Sequence, residues 1–229
     1  MDFVAGEILL IDKPLTWTSF QAVNKIRHHL KRKTGVKKIK VGHAGTLDPL
    51  ATGLLIICTG KKTKEIDSLM GLDKTYTGTI RLGATTPSFD LETEINQTFE
   101  LNHVSEEMLV VAAKHLTGEY DQMPPVFSAK RVDGKRAYDL ARAGKDVNLK
   151  PKKILVSEFL ITSFALPDVH FKITCSKGTY IRSIANDFGH ILKCGGHLTA
   201  LRRTAIGEFL VENALTPEVF VDSLTENSD

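Results

Sequence analysis

The residues best suited to chemistry in this sequence lie together in the segment Val41–Gly53, VGHAGTLDPLATG, which runs into an apolar stretch. Its three glycines allow backbone conformations closed to other residues and permit a close approach to a ligand. Between them lie an imidazole at His43, a hydroxyl at Thr46 and a carboxylate at Asp48. A carboxylate on such a loop is placed to act as a catalytic group on a bound substrate.

A structural role for the same carboxylate is an equally simple interpretation. Asp48 followed by Pro49 is a common helix start, with the Asp as N-cap and the Pro as the first helical residue. Such a cap would contribute about 0.5–2 kcal/mol to stability and no chemistry. The segment by itself leaves both interpretations open.

Three further places join notable side chains to the ends of predicted elements. Tyr76 stands at the start of a strand, and Leu201 precedes Arg202-Arg203. Tyr180 and Arg182 lie on the first turn of a helix, where exposed N–H groups also favour an anion. Each has a structural alternative, since a strand tyrosine often fills a core and an arginine on a helix often forms a surface ion pair.

The sequence shows no sign of a bound metal or cofactor. Its His, Cys and Asp residues lack metal-ligand spacing, and no local motif indicates a Ser-His-Asp arrangement. Gly60–Thr63 resembles part of a phosphate-binding loop, but Lys62 stands where Ser or Thr is required. The candidate site therefore consists of one carboxylate, aromatic rings and an arginine, and we expect it to use no cofactor.

Hydrophobic periodicity and turn residues predict the elements that must position these groups. Strands are predicted at residues 6–12, 54–58, 75–82, 154–164, 169–175 and 198–206, and helices at 105–116, 135–143 and 179–192, with further helices beginning at Thr18 or Ser19 and at Thr216-Pro217. The first helix is expected to bury one face, formed by Phe20, Val23, Ile26 and Leu30. Strands and helices mix without regular βαβ repetition, which favours the α+β class and a single domain over residues 1–229.

Composition places the chain among ordinary globular proteins. Of its 229 residues, 42% are hydrophobic and 25% are charged, as is usual for soluble domains. The longest apolar runs are too short to span a bilayer, and the acidic N-terminus lacks the features of a signal peptide. Three cysteines without a C-x-x-C pair indicate neither a disulfide framework nor a zinc site, so we expect a cytoplasmic protein.

The positive charge is modest but unevenly distributed. The formal net charge is +3, yet Arg27–Lys40 contains no acidic residue, and Lys130–Lys145 is again rich in Lys and Arg. Two basic clusters on a nearly neutral chain favour a surface that binds a polyanion such as nucleic acid. Alternatively, each cluster is a solvated helix end with its loop.

The residues around Asp48 resemble the active-site motif of the TruB-type tRNA pseudouridine synthases, and the resemblance covers nearly the whole chain. Matching blocks follow in order at Leu10–Pro14 with Thr18-Ser19, Asp73–Tyr76 through Arg81–Gly83 to Asp90, Gln122–Lys130 through Gly134 to Gly144, Ser176–Arg182, and Leu198–Thr204. The resemblance implies a pseudouridine synthase fold, with a mixed, largely antiparallel central sheet flanked by helices and loops. It also implies isomerisation of the uridine at position 55, in the T loop of tRNA, to pseudouridine.

The resemblance assigns roles to individual residues. Asp48 is the implied catalytic carboxylate, acting as a nucleophile or as a base near C1′ and C6 of the target uridine. The other implied site residues bind or enclose a nucleotide extruded from its stack: His43, Tyr76, Tyr180, Arg182 and Leu201. Of these, His43 is expected to stack in the space that the nucleotide leaves, and Arg182 to pair with Asp48.

An RNA-gripping insertion near residues 122–151 is implied as well. Its cations and those of Lys31–Lys40 are expected to contact phosphates and make binding salt-dependent. The insertion's candidates are Lys130, Arg131, Lys135, Arg136 and Arg142. The chain departs from the family pattern at Phe127, where many relatives have Tyr. It also ends at Asp229, so we expect the PUA-type C-terminal domain of many bacterial relatives to be absent.

The expected partner is the T arm of tRNA, bound by a monomer that contacts no membrane. A non-catalytic RNA-binding or tRNA-folding module is the main alternative. That alternative needs the basic clusters but not the joint presence of Asp48, Tyr76 and Arg182, which favours an enzyme.

Overall fold

A computed structural model describes residues 1–128, 131–132, 135–136 and 149–226, without the side chains at 131, 132, 135, 136, 225 and 226. The chain separates into two compact units. The first unit comprises Met1–Tyr76 and Leu201–Asp229, and the second comprises Thr77–Ala200. Whether the whole chain folds as the single domain expected from its sequence stays a prediction.

The elements lie close to their predicted positions. The described strands are β1 Ile8–Lys13, β2 Val41–His43, β3 Ala51–Thr59, β4 Lys74–Leu82, β5 Ala84–Thr85, β6 Gln97–Thr98, β7 Gly118–Gln122, β8 Arg131–Val132, β9 Lys135–Arg136, β10 Lys152–Ala165, β11 Asp168–Cys175, β12 Gly196–Ile206 and β13 Phe209–Leu210. The described α-helices are α1 Ser19–Thr34, α2 Ile66–Gly71, α3 Glu106–His115, α4 Ile181–Ile191 and α5 Pro217–Glu226, with 3₁₀ helices at Gly60–Glu65 and Val211–Asn213. None of these helices is long and apolar enough to cross a membrane.

One predicted helix is wrong where it can be compared. Residues 135–143 were expected to be helical, but Lys135 and Arg136 form a short strand that pairs with β8. Residues 137–143 lie outside the described part of the chain. The pairing of Lys135 and Arg136 with the preceding strand is a contact that a local helical pattern does not reveal.

Strand β3 is the centre of the first unit's sheet. β1 pairs with it antiparallel, from Ile8 opposite Cys58 to Lys13 opposite Gly53, and β2 pairs antiparallel with its end. Residues Leu201–Arg203 of β12 pair parallel with β3, which makes the sheet mixed. Residues Leu54–Cys58 are fully buried on both faces, and for this reason the strand has a continuous apolar run rather than an alternating one.

Helix α1 covers one face of this sheet. A capping box starts it: the Thr18 hydroxyl accepts a bond from the Gln21 N–H, and the Gln21 side chain accepts one from the Thr18 N–H. The buried stripe packs against β1, β3 and α5 and consists of Ala22, Val23, Ile26 and Leu30. Phe20, expected on this stripe, is instead 63% exposed, because the position one turn before Val23 that faces inward is Ser19.

The second unit contains the strand order β4–β11–β10–β7, in which β10 pairs antiparallel with both β11 and β7. The alternate residues of β11 are buried, as their spacing predicted. Helix α4 packs its apolar stripe here, with the rings of Phe188 and Phe159 5.4 Å apart, and α3 packs against β10. The predicted α+β class, with a mixed and largely antiparallel sheet flanked by helices, is confirmed.

Candidate active site

The Asp48 loop, residues 44–50, joins β2 to β3 in the first unit. Ala44 and Leu47 are buried and anchor the loop to the unit's core, while the Asp48 side chain is half-buried. The Ala44 N–H donates to the Ile56 carbonyl at 2.9 Å, and the Ala51 N–H donates to the Asp48 carbonyl at 3.0 Å. The loop therefore starts and ends with backbone hydrogen bonds that limit where Asp48 can lie.

The connection between β1 and α1 holds the loop on both sides of Asp48. The Ser19 hydroxyl accepts a bond from the Leu47 N–H at 2.8 Å and lies 3.1 Å from the Leu47 carbonyl, to which it donates. The Thr16 N–H donates to the Pro49 carbonyl at 2.8 Å. Ser19 is only 3% exposed, so water does not compete for these bonds. The residues before and after Asp48 are thus both fixed to a segment about thirty residues earlier in the chain.

Two buried cations lie beneath the loop. The Arg203 guanidinium, 1% exposed, donates to the carbonyls of Leu54, Gly45 and Thr46 at 2.7, 3.1 and 3.4 Å. The fully buried Lys13 ammonium donates to the carbonyls of Pro14 and Trp17 at 2.9 and 2.6 Å. Burial lowers the pKa of Lys13 from 10.5 to about 8, although the nearby Asp48 carboxylate acts in the opposite direction.

The helix-cap interpretation of Asp48 is wrong. A turn follows Asp48 and leads directly into β3 at Ala51, and no helix begins at Pro49. The local Asp-Pro pattern was overruled by the pairing of β3, which begins at Ala51, with β1 and β12. The Asp48 carboxylate therefore does not cap a helix N-terminus.

Three other predicted site residues lie in the first unit. His43 ends β2, and burial, followed by the Arg203 charge, lowers its pKa. Its Nδ1 is buried without a hydrogen-bond partner among the described residues. Leu201 lies opposite Ala51 in the parallel β12–β3 pair, and Ala51 is three residues after Asp48 in the chain. Tyr76 is 8% exposed, near the start of β4.

Close packing of β3 on β12 requires Gly53. Its φ is 103°, a conformation that glycine adopts readily and other residues rarely do, and a Cβ there would collide with the backbone of Arg203. The parallel pairing in turn brings Leu201 beside the strand that leaves the Asp48 loop. This glycine of the opening motif thus serves packing between strands.

Tyr180 and Gln122 form a backbone clamp in the second unit. Tyr180 is the N-cap of α4, and its side chain makes no cap hydrogen bond. The Gln122 side chain, on a residue that is 2% exposed, accepts from the Tyr180 N–H at 2.8 Å and donates to its carbonyl at 3.0 Å. Two bonds to one residue's backbone fix the direction in which the chain enters α4.

Arg182 is buried in the same unit. Its position on a helix is also compatible with a surface ion pair, but the structure does not place it at the surface. It is 5% exposed, its Nε lies 3.5 Å from an Asp90 carboxylate oxygen, and its Nη1 donates to the Ser88 carbonyl at 3.2 Å. The Asp90 carbonyl accepts bonds from the hydroxyls of Thr86 and Ser88. The contacts with Asp90 and the Ser88 carbonyl fix the orientation of the guanidinium.

The insertion is only partly described. Lys130 and Arg142 lie outside the described residues, and for Arg131, Lys135 and Arg136 only the backbone is described, in the β8–β9 pair. In the part of the chain that the structure describes, no three His, Cys, Asp or Glu side chains are grouped so as to hold a metal ion.

Two family models match consecutive parts of the chain. Residues 31–181 match a model described as the N-terminal domain of the TruB family pseudouridylate synthases. The chain belongs to this family. Residues 182–229 match a model described as the C-terminal domain of tRNA pseudouridylate synthase B. The resemblance carried by the Asp48 segment is thereby confirmed.

Curated relatives of similar length agree with this assignment. The chain is 55% identical over 224 residues to a tRNA pseudouridine synthase B of Flavobacterium johnsoniae, a match that covers 97% of this chain and 98% of the relative. It is 54% identical over 226 residues to the protein of the same name from Phocaeicola vulgatus, covering 99% and 96%.

Solved structures show the same fold in longer chains. An archaeal box H/ACA sRNP Nop10–Cbf5 complex contains a chain that matches with a TM-score of 0.69 and 25% identity, covering 97% of this chain and 54% of that one. A Cbf5–Nop10–Gar1 complex gives 0.70 and 26%, covering 96% and 54%. This chain therefore spans about half the length of those two. With the family models, the likeness confirms the predicted pseudouridine synthase fold.

Several residues that hold candidate site residues in place within one unit or the other were not among the predicted site residues: Lys13, Ser19, Asp90, Gln122 and Arg203. Each lies inside a block that resembles the family, but their contacts join positions as far apart as 149 or 58 residues. The local signals were the Lys-Pro pair that ends the first apolar strand and the Arg202-Arg203 pair after Leu201.

Proposed function

We propose that the protein isomerises the uridine at position 55, in the T loop of tRNA, to pseudouridine, with Asp48 as its catalytic group. Membership of the TruB family and the relatives named tRNA pseudouridine synthase B support the reaction and its substrate class. The observation that carries the proposal is the Asp48 loop. Its carboxylate is half-buried while the residues on either side of it are hydrogen-bonded to Ser19 and Thr16.

The reaction requires little beyond one well-placed carboxylate. The bond between N1 of uracil and C1′ of the ribose breaks, the base turns, and C5 bonds to C1′. A proton then leaves C5, and N1 carries an N–H in the product. Nothing is oxidised or hydrolysed, so a carboxylate acting as nucleophile or base near C1′ and C6 suffices.

The remaining residues keep their proposed roles in binding an extruded nucleotide. Extrusion costs a few kcal/mol, and an aromatic ring that stacks in the vacated space offsets about 1–3 kcal/mol of it. The lowered pKa of His43 supports a neutral, stacking ring there. We assign Tyr76 and Tyr180 to the flipped base, Leu201 to the wall of its pocket, and Arg182 to the orientation of the catalytic carboxylate.

Replacement of the carboxylate by an amide tests the catalytic assignment. Asp48→Asn should bind tRNA with a nearly unchanged Kd and release no tritium from T-loop RNA labelled at C5 of uracil. Asp67→Asn, the same change at an exposed position on α2, is the matched control and should retain full activity. Appreciable turnover by Asp48→Asn would overturn the assignment. A protein that only binds or remodels tRNA would release no tritium even as wild type.

The basic insertion is proposed to grip the RNA backbone. The β8–β9 register places Arg131 opposite Arg136 along the backbone, within a stretch that is rich in Lys and Arg. Neutralising Arg131, Arg136, Lys130 and Lys135 together should raise the Kd for tRNA and flatten its dependence on salt, since each phosphate contact contributes about 0.9 to the logarithmic slope. An unchanged slope would contradict phosphate contact there.

A further inference from the structure

Two basic segments that are distant in sequence meet at one end of the first unit. The Gly60 N–H donates to the Lys40 carbonyl at 3.0 Å, and Val41 pairs with Thr59 between β2 and β3. The loop before β2 thereby lies beside the 3₁₀ helix that follows β3. Together they present one set of exposed side chains, the distal lysine surface: Lys37, Lys38, Lys40, Lys61 and Lys64.

The positive charge of this surface is not neutralised within the protein. In the part of the chain that the structure describes, none of its five lysines forms an ion pair. Two neighbouring acids are already engaged. Glu65 pairs with Lys62 at 2.7 Å, and an Asp2 carboxylate oxygen accepts bonds from the Val4 and Ala5 N–H groups. An arrangement of this kind attracts an external anion.

The chemistry of this surface suits a string of phosphates better than a single nucleotide phosphate. A phosphate-binding loop uses free backbone N–H groups. Here the Gly60 N–H is bonded to the Lys40 carbonyl, and the Lys61 N–H donates to the Ala5 carbonyl at 3.0 Å. The exposed lysine ammonium groups are flexible point charges, and those suit the regularly spaced charges of a nucleic-acid backbone.

The surface lies far from Asp48 within the same unit. β3 leaves the Asp48 loop at Ala51 and reaches the surface at Thr59, which at about 3.3 Å per residue is roughly 26 Å. α1 gives an independent measure, because Ser19 contacts the loop and Thr34 ends the 16-residue helix, roughly 22 Å away at about 1.5 Å per residue. A separation of roughly 25 Å corresponds to about seven base steps at about 3.4 Å each.

We propose that the distal lysine surface binds the phosphate backbone of tRNA outside the T loop while Asp48 acts within it. The inference rests on the proposed function for the position of the T loop. It adds a second, separate contact that a short T-loop hairpin is too small to reach. The surface therefore makes the enzyme favour intact tRNA over an isolated hairpin.

The test compares two variants that each remove two positive charges. Lys61→Gln with Lys64→Gln removes part of the surface, and Lys114→Gln with Lys193→Gln removes two exposed lysines of the second unit. The Kd of each protein is measured between about 50 and 200 mM salt for full-length tRNA and for a minimal hairpin of the T loop with its closing base pairs. Pseudouridine formation on the hairpin is followed in parallel.

We expect only the surface variant to bind full-length tRNA more weakly than the wild type does. Because this variant cannot make two of the phosphate contacts, its Kd depends less steeply on salt. The factor by which its Kd rises over that salt range should be about ten times smaller than the factor for the wild type. Its affinity for the hairpin, and its rate of modifying the hairpin, should not change. Equal weakening with both RNAs, equal weakening in both variants, or no weakening at all would each overturn the proposal. A wild-type protein that formed no pseudouridine on either RNA would instead overturn the proposed function.

Discussion

Removal of the Ser19 hydroxyl should slow the reaction without weakening the binding of tRNA. Ser19 accepts from the Leu47 N–H at 2.8 Å and donates to the Leu47 carbonyl, so Ser19→Ala leaves both groups of a buried residue unpaired. The side chain itself makes no other described hydrogen bond, and alanine fits its space. The variant therefore changes how firmly the residue before Asp48 is held and little else.

The magnitude follows from what the two bonds do. A buried polar group left without a partner costs about 1–3 kcal/mol, so with two such groups we expect a decrease of about 2–6 kcal/mol in the free energy of unfolding. The effect on catalysis has a different origin. A displacement of about 1 Å in a catalytic group reduces a rate by roughly a hundredfold, so a loosened Asp48 should lower kcat by roughly ten- to a hundredfold. The Kd for tRNA should stay within about threefold, because the basic surfaces are untouched.

Single-turnover tritium release, tRNA binding and urea unfolding together measure the three quantities. Thr18→Ala is the matched control, since it removes the capping box of the same helix at a cost of about 1 kcal/mol but leaves Leu47 bonded. Ser19→Cys keeps the size of the side chain with a weaker donor and should fall between Ser and Ala. If Ser19→Ala slowed the single-turnover rate no more than Thr18→Ala, the hydroxyl would serve helix stability alone.

Two further predictions concern other buried groups. Gln122→Ala should lower kcat by roughly tenfold, because the Tyr180 N–H and carbonyl lose the side chain that orients them. The control is Gln97→Ala, at an exposed position of the same unit, which should have the activity of the wild type. Equal activity of the two variants would contradict the role of Gln122 in holding Tyr180. The buried Lys13 should add up to about 3 kcal/mol to the free energy of unfolding as the pH increases from 8 to 10.5, and Lys13→Met should abolish this contribution. The sign follows because burial lowers the Lys13 pKa from 10.5 to about 8, so the unfolded chain binds more protons across that window. Urea unfolding of the wild type and of Lys13→Met at both ends of the window measures this contribution as the difference between the two proteins, and an equal pH dependence in both would contradict the lowered pKa of Lys13.

The sequence was informative wherever the physical signal is periodic. Buried strands and amphipathic helices repeat at fixed intervals, and for this reason β11, β12 and α4 lie within two residues of their predicted positions. Phe20 shows the limit of that reasoning. Its spacing from Val23 fits a helical stripe, but the inward position is taken by Ser19, whose bonds to Leu47 lie in another part of the chain. A tertiary contact thus decided which face of α1 is buried.

The groups proposed to do chemistry and the groups that hold them differ in how far the sequence reveals them. Asp48 and Tyr180 are recognisable because their residue types and their neighbouring glycines are unusual together. Ser19 and Gln122 are ordinary polar residues, and nothing in their own surroundings predicts that each will bond twice to the backbone of one residue, 28 or 58 positions away. Both clamps act on the backbone, so they constrain the position of a site residue without depending on its side chain. Substitution of a clamp should therefore impair the reaction even where every residue proposed to touch the uridine is intact, and this is the distinction that the Ser19 and Thr18 pair is designed to measure.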